Sequence, residues 1–384
     1  MAVLLLLVTT AAGCATGIDQ QQAAQGRTLT PTWTLAADSP LSPRHGALVV
    51  TVGEEVLVLG GDSSPPCPPA ASCAAPPATT LRKDGAAWSP ADDTWRRLPD
   101  APVLPAGGSA AVVDDALYLL AEGQLHSYDR TSDAWSRLPA PPDDDGHLLP
   151  AGEQLLRLEP TQEGGQVQAD HLYDPRTRRW QALPHDPLAP AFDRTAVWTG
   201  EQLVLLGKPV PPPAKDGVDS PTVYLHAATY APGARHWTAV AQQDTVIGFG
   251  SQAVWTGDRV ALPYGFDYTD GGRNAGGTPD PTGGYLDPAT GQWEPLARTP
   301  PPSPTALRVQ ALSDTLVTTG EGFVLDLDRR TWHALEPAPG AATEGVRGTW
   351  IDRRLAVFGG STIRADGAGA LSDQLRVWQL VEES

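Results

Sequence analysis

One phrase recurs seven times along this chain. Its clearest copies are AVWTGEQLVLLG at 196–207 and AVWTGDRVALPYG at 253–265. Weaker copies are LVVTVGEEVLVLGG (48–61), AAVVDDALYLL (110–120), HLLPAGEQLLRL (147–158), VQALSDTLVTTG (309–320) and GTWIDRRLAVFGG (348–360). Each is an apolar strand, a short turn rich in Gly, Asp or Glu, and a second strand, the signature of a β-hairpin. A repeat constrains the fold more than composition does, because each unit can bury its apolar faces only against its neighbours.

A second phrase follows each hairpin: an aromatic or aliphatic residue, a polar turn, then Trp. Examples are YDRTSDAWSRL (128–138), YDPRTRRWQAL (173–183), YAPGARHWTAV (230–240), LDPATGQWEPL (286–296) and DLDRRTWHAL (326–335). The closing residues are Trp95, Trp135, Trp180, Trp237, Trp293 and Trp332. Two hairpins per unit make four strands, on a period near the ~50 residues of a kelch blade. With the diglycines Gly60-Gly61 and Gly359-Gly360, these phrases resemble the kelch family, as in the central domain of galactose oxidase. The resemblance covers about residues 32–380 and implies an all-β chain, a β-propeller of four-stranded blades. The last unit lacks a closing Trp after LRVWQL (375–380), whereas one stands at the other end, in PTWTL (31–35). Trp33 therefore supplies the missing strand, giving seven blades in a ring closed by the N-terminal strand. Such closure hides an edge that would otherwise pair with other chains.

The chain opens MAVLLLLVTTAAGC, an apolar run too short to span a bilayer and similar to an export signal. Ala11-Ala12-Gly13-Cys14 resembles a bacterial lipobox, with Ala11 where that motif usually carries Leu. The resemblance implies a signal peptide at 1–14, acylation of Cys14, a polar tether at 15–31, the propeller at 32–380 and a tail at 381–384. The expected location is the outer face of the cytoplasmic membrane, held by lipid, with plain secretion as the alternative. Oxidising surroundings make a disulfide the natural state of Cys67 and Cys73. A net charge of -18 repels phosphate backbones, so nucleic acid is excluded as a partner. Lysine occurs only at 83, 208 and 215, leaving no polybasic membrane patch, so membrane contact is through the lipid alone.

No sequence motif for catalysis, metal or cofactor stands out, and none of these is expected. The closing Trp residues read as core anchors between blades. Asp174-Pro175 and Asp287-Pro288 read as turn chemistry, and the acidic run 143–145 as a solvated loop. Blade geometry puts the first-to-second and third-to-fourth turns on one face. The long insertions at 62–84, 208–221, 266–284 and 361–372 fall on the other, and variable loops on a fixed scaffold are where binding resides. The candidate ligand face comprises Arg44, His45, Asp62, His147, Asp193, Arg194, Tyr264, Asp267, Tyr268, Arg273 and Arg347, with Phe249, Asn274 and Arg308 nearby. Arg and Asp beside aromatics suit a polar ligand. The leading reading is a monomeric, non-catalytic cell-surface module that binds a protein, peptide or glycan. A carbohydrate-active enzyme of epimerase or lyase type using the same face, and a structural envelope protein, stand as alternatives.

Overall fold

Each repeat folds as a meander of four antiparallel strands. The structure, a computed structural model, describes residues 29–67, 73, 75, 77–142, 146–162, 167–210, 224–240, 252–263, 283–296, 303, 305–320, 322–363 and 369–382. Blade 1 contains Leu48–Val52, Glu55–Leu59, Gly85–Ser89 and Thr94–Leu98. Blade 2 contains Ser109–Val113, Ala116–Ala121, Gln124–Asp129 and Ala134–Arg137. Blade 3 contains His147–Ala151, Gln154–Leu158, His171–Asp174 and Arg179–Ala182. Blade 4 contains Ala191–Trp198, Leu203–Pro209, His226–Ala231 and His236–Val240. Blade 5 contains Val254–Trp255, Val260–Leu262, Gly284–Leu286 and Trp293–Pro295. Blade 6 contains Ala311–Leu312, Leu316–Thr319, Phe323–Asp326 and Thr331–Ala334. Blade 7 contains Arg347–Ile351, Arg354–Phe358 and Leu375–Glu382, and takes its fourth strand, Leu29–Leu35, from the other end of the chain.

The described residues thus form a seven-bladed β-propeller. The closing pair runs in unbroken register from Leu29↔Glu382 to Leu35↔Arg376 and sets Trp33 opposite Trp378. Burial is graded along each blade. The second strand of blade 1 buries Val56, Val58, Leu57 and Leu59 completely, because both its faces lie against neighbouring sheets. The first strands ring the central axis and touch across blades through polar groups. Thr51 Oγ1 donates to the Trp350 carbonyl (2.8 Å), the Leu148 amide to Ser109 Oγ (2.9 Å) and the Ala253 amide to Thr195 Oγ1 (3.3 Å).

The closing tryptophans are core anchors, as their repetition suggests. Trp33, Trp95, Trp135, Trp180 and Trp237 each donate the indole N–H to the chain just past the fourth strand of the preceding blade. The acceptors are the carbonyls of Glu336 (2.9 Å), Ala37 (2.9 Å), Pro99 (3.2 Å), Pro139 (3.0 Å) and Pro184 (2.8 Å). The aromatic before the turn packs on the Trp of its own blade, with centroids 5.3 Å apart for Tyr128–Trp135 and 4.9 Å for Tyr173–Trp180. Tilted pairs of this kind add to plain area burial. The residue two before the Trp is left-handed in all six of these turns: Asp93, Asp133, Arg178, Arg235, Gly291 and Arg330 have φ between 51° and 72°.

The diglycines have a steric cause. Gly60 and Gly61 have φ of 63° and 96°, and a Cβ on Gly60 would lie 2.8 Å from Pro105 Cδ. Gly359 and Gly360 repeat this in blade 7, where a Cβ on Gly359 would meet the Arg44 carbonyl at 2.5 Å. Both pairs end a second strand and let the chain splay onto the long-loop face.

Candidate site at the long-loop mouth of the channel

Strand direction sorts the connections as the repeat implies. The first-to-second turns are tight and carry a carboxylate in every blade: Glu54, Asp115, Glu153, Glu201, Asp258, Asp314 and Asp352, all exposed. The insertions leave from the opposite face. Two of them meet at the seam between blades 7 and 1. The strand pair Ser361–Ile363 and Gly369–Leu371 receives Pro66 against Gly369, next to the Cys67–Cys73 disulfide. That disulfide has the Cα separation of 6.0 Å that such bonds favour.

The long-loop mouth holds a cavity of about 970 Å³. Its walls come from the starts of the first strands of blades 2 and 3, with Ser109 and His147, from Glu122-Gly123 and Glu159-Pro160, and from Gln252 ahead of blade 5. Blade 2 joins its second and third strands through Glu122 and Gly123 alone, so its own connection does not overhang this side. His147 stays in contact with solvent through the mouth. The protein walls around it still desolvate the imidazole and lower its pKa below the ordinary value. It is therefore a neutral donor and acceptor at physiological pH.

The residues flagged in the sequence divide into three groups. Arg44 and Arg194 are structural. The Arg44 side chain is fully buried and spends all five N–H groups inside the protein, on Asp84 (2.7 and 3.0 Å), the Gly60 and Ser42 carbonyls and Ser42 Oγ. Arg194, also fully buried, forks onto Asp170 (2.6 Å) and reaches Asp186 (2.9 Å) and the Glu159 carbonyl (2.6 Å). Asp193 pairs with Lys208 at 2.5 Å, and the ammonium also lies 4.6 Å from the Phe192 ring centre.

His147, Arg347 and His45 keep access to the mouth. Arg347 is exposed, with its guanidinium on the Val346 carbonyl (3.0 Å). His45 is part-exposed, and its Nε2 lies 3.6 Å from Asp62 Oδ2. The two residues also exchange backbone hydrogen bonds at 3.0 and 2.9 Å. Burial opposes ionisation of Asp62, but hydrogen bonds from Ser64 and Thr80, with the His45 charge, outweigh it and lower the pKa. The third group, Tyr264, Asp267, Tyr268 and Arg273, lies outside the described residues, as do Phe249, Asn274, Cys14 and 143–145. Sequence reasoning missed Ser109, Glu122 and Gln252. Ser109 was within reach, because it starts its blade's first strand just as His147 and Arg347 start theirs. Among the described residues, no three His, Cys, Asp or Glu converge as metal ligands, and no helix is long and apolar enough to cross a membrane.

Fold and site together define the class: a seven-bladed β-propeller with an open polar mouth on its insertion-bearing face. No protein-family model matches the chain, and comparison with curated proteins finds no match.

Proposed function

We propose that this chain is an exported, kelch-type binding module, lipid-anchored at Cys14, that engages a peptide or glycan at the cell surface through its long-loop face and performs no chemistry. The observation behind this reading is the contrast between the faces: one is closed by short turns, and the other carries the insertions and the ~970 Å³ cavity. That volume lies within the ~300–1,000 Å³ range of small-ligand sites. The chain enters blade 7 from the tight-turn face, so a short tether holds that face toward the membrane and the long loops outward. The test is a combined glycan and peptide array probed with the purified chain. A specific hit lost on His147→Ala or Arg347→Ala supports the reading, and an array with no specific hit rejects it. For the anchor, Cys14→Ala must release the protein into the soluble fraction; unchanged membrane association rejects acylation. A bulky maleimide should label cysteines placed in 266–284 faster than cysteines in the turn 287–292; the reverse order rejects the orientation.

A carbohydrate-active enzyme is the second reading, favoured by the His45–Asp62 pair at the mouth. A change in the proton NMR spectrum or the fragment masses of a glycan incubated with the wild type but not with His45→Ala would select it.

A further inference from the structure

Two arginines at the rim of the long-loop mouth have no acid partner among the described residues, although acidic residues outnumber basic ones 45 to 27 in the chain. Arg308 leads into the first strand of blade 6, and Arg347 starts that of blade 7. The two strands are adjacent: Trp350 Nε1 donates to the Ala311 carbonyl at 3.2 Å, and a Cβ on Gly348 would lie 3.1 Å from Val309 Cγ2. Arg308 precedes Val309 and Arg347 precedes Gly348, so this contact brings both arginines to one stretch of the rim. Both are exposed, and neither forms an ion pair with a carboxylate among the described residues. His45 borders the same stretch, because a Cβ on Gly345 would touch its Cβ at 3.0 Å. Most other described arginines are paired with an acid, Arg44 and Arg194 among them. A guanidinium left without an acid keeps its charge and most of its N–H donors available to an incoming anion. The opposite mouth bears the seven turn carboxylates.

We propose that Arg308 and Arg347 form a carboxylate-binding subsite, so that the ligand of the long-loop face is an acidic oligosaccharide held by its carboxylate. This rests on the binding reading above and names its ligand class. Guanidinium matches a carboxylate with two parallel N–H donors, a geometry lysine does not supply. Across the mouth, Ser109, Gln252 and neutral His147 both donate to and accept from hydroxyls and the Glu122 carboxylate accepts, which favours a sugar over a peptide.

Calorimetric titration of the full chain with tri-galacturonic acid, its tri-methyl ester, and a tripeptide with free or amidated C-terminus tests this. The expected result is binding of the acid, loss of about tenfold in affinity for each of Arg308→Ala and Arg347→Ala, and incomplete recovery in Arg347→Lys. The ester should bind the wild type no better than it binds the double variant. Both arginines are exposed, so thermal unfolding of the variants should match the wild type. Equal binding of acid and ester, or full affinity in the double variant, overturns the subsite while leaving the binding reading intact. Binding of the free peptide but not of the sugar acid overturns the ligand class. No binding of any probe overturns the subsite, and the array then decides the broader reading separately.

Discussion

Ring closure can be measured by removing the strand that supplies it. Truncating the chain before Leu29 leaves every described strand in place, whereas truncating it before Ala36 deletes Leu29–Leu35. Seven register pairs are then lost. An antiparallel pair of that length exchanges about six hydrogen bonds once Pro31, which has no N–H, is discounted, for a net of roughly 6 kcal/mol. Trp33 takes with it the bond to the Glu336 carbonyl and its packing between blades 6 and 7, adding about 2–3 kcal/mol. The sum of ~8 kcal/mol is comparable to the whole stability of many domains, ~5–15 kcal/mol. An unfolding entropy of ~2.1 cal/mol/K per residue converts it to a fall of about 10 °C or more in Tm. The strand Leu375–Glu382 would also become a bare edge, and Trp378, now 1% exposed, would lose its cover. Thermal unfolding followed by tryptophan fluorescence, with size-exclusion chromatography to detect aggregation, reads both effects. A truncation before Ala36 that stays monomeric and melts within 2–3 °C of the one before Leu29 would refute the closure argument.

Trp180→Phe keeps a ring but loses the N–H to the Pro139 carbonyl and should cost about 1–2 kcal/mol in a denaturant titration. Arg235 has φ +55 with an exposed side chain, so Arg235→Gly should raise stability by about 0.5 kcal/mol, read in the same titration. The Arg44 guanidinium, above all, holds the Asp84 pKa below 3.8. The stability this brings is complete above the unfolded value and is lost as pH falls through the folded one. The Tm gap between wild type and Asp84→Asn should therefore be widest near neutrality and shrink below about pH 4. Burial likewise lowers the His147 pKa, so its neutral form supports the fold above about pH 6.5 and acidification removes that support. His147→Asn should flatten the Tm profile between about pH 7 and 5. Reducing Cys67–Cys73 opens a loop of sequence separation 6 within one insertion and should cost no more than about 2 kcal/mol by calorimetry.

The architecture was legible in the sequence because a propeller blade is built from nearest neighbours. Hairpins, turns and the closing Trp all act within one repeat or the next, so periodicity reports them directly. Even the displaced Trp33 could be read, since a phrase missing at one end and present at the other has one economical placement. The site was less legible. Arg44 and Arg347 look alike in the sequence, one just ahead of a first strand and the other at the start of one. Arg44 is consumed by Asp84, 40 residues on, while Arg347 meets no acid among the described residues. Arg194 was similarly taken by Asp170 and Asp186, and Asp193 by Lys208. Whether a charge is spent inside the protein or offered to a ligand depends on which distant side chain the fold brings beside it. Desolvation makes an unpaired buried charge so costly that a single such encounter decides the residue's role. Repetition carries no record of those encounters, so the sequence alone determined the ring and its two faces, and only the tertiary structure decided which residues of the mouth face outward.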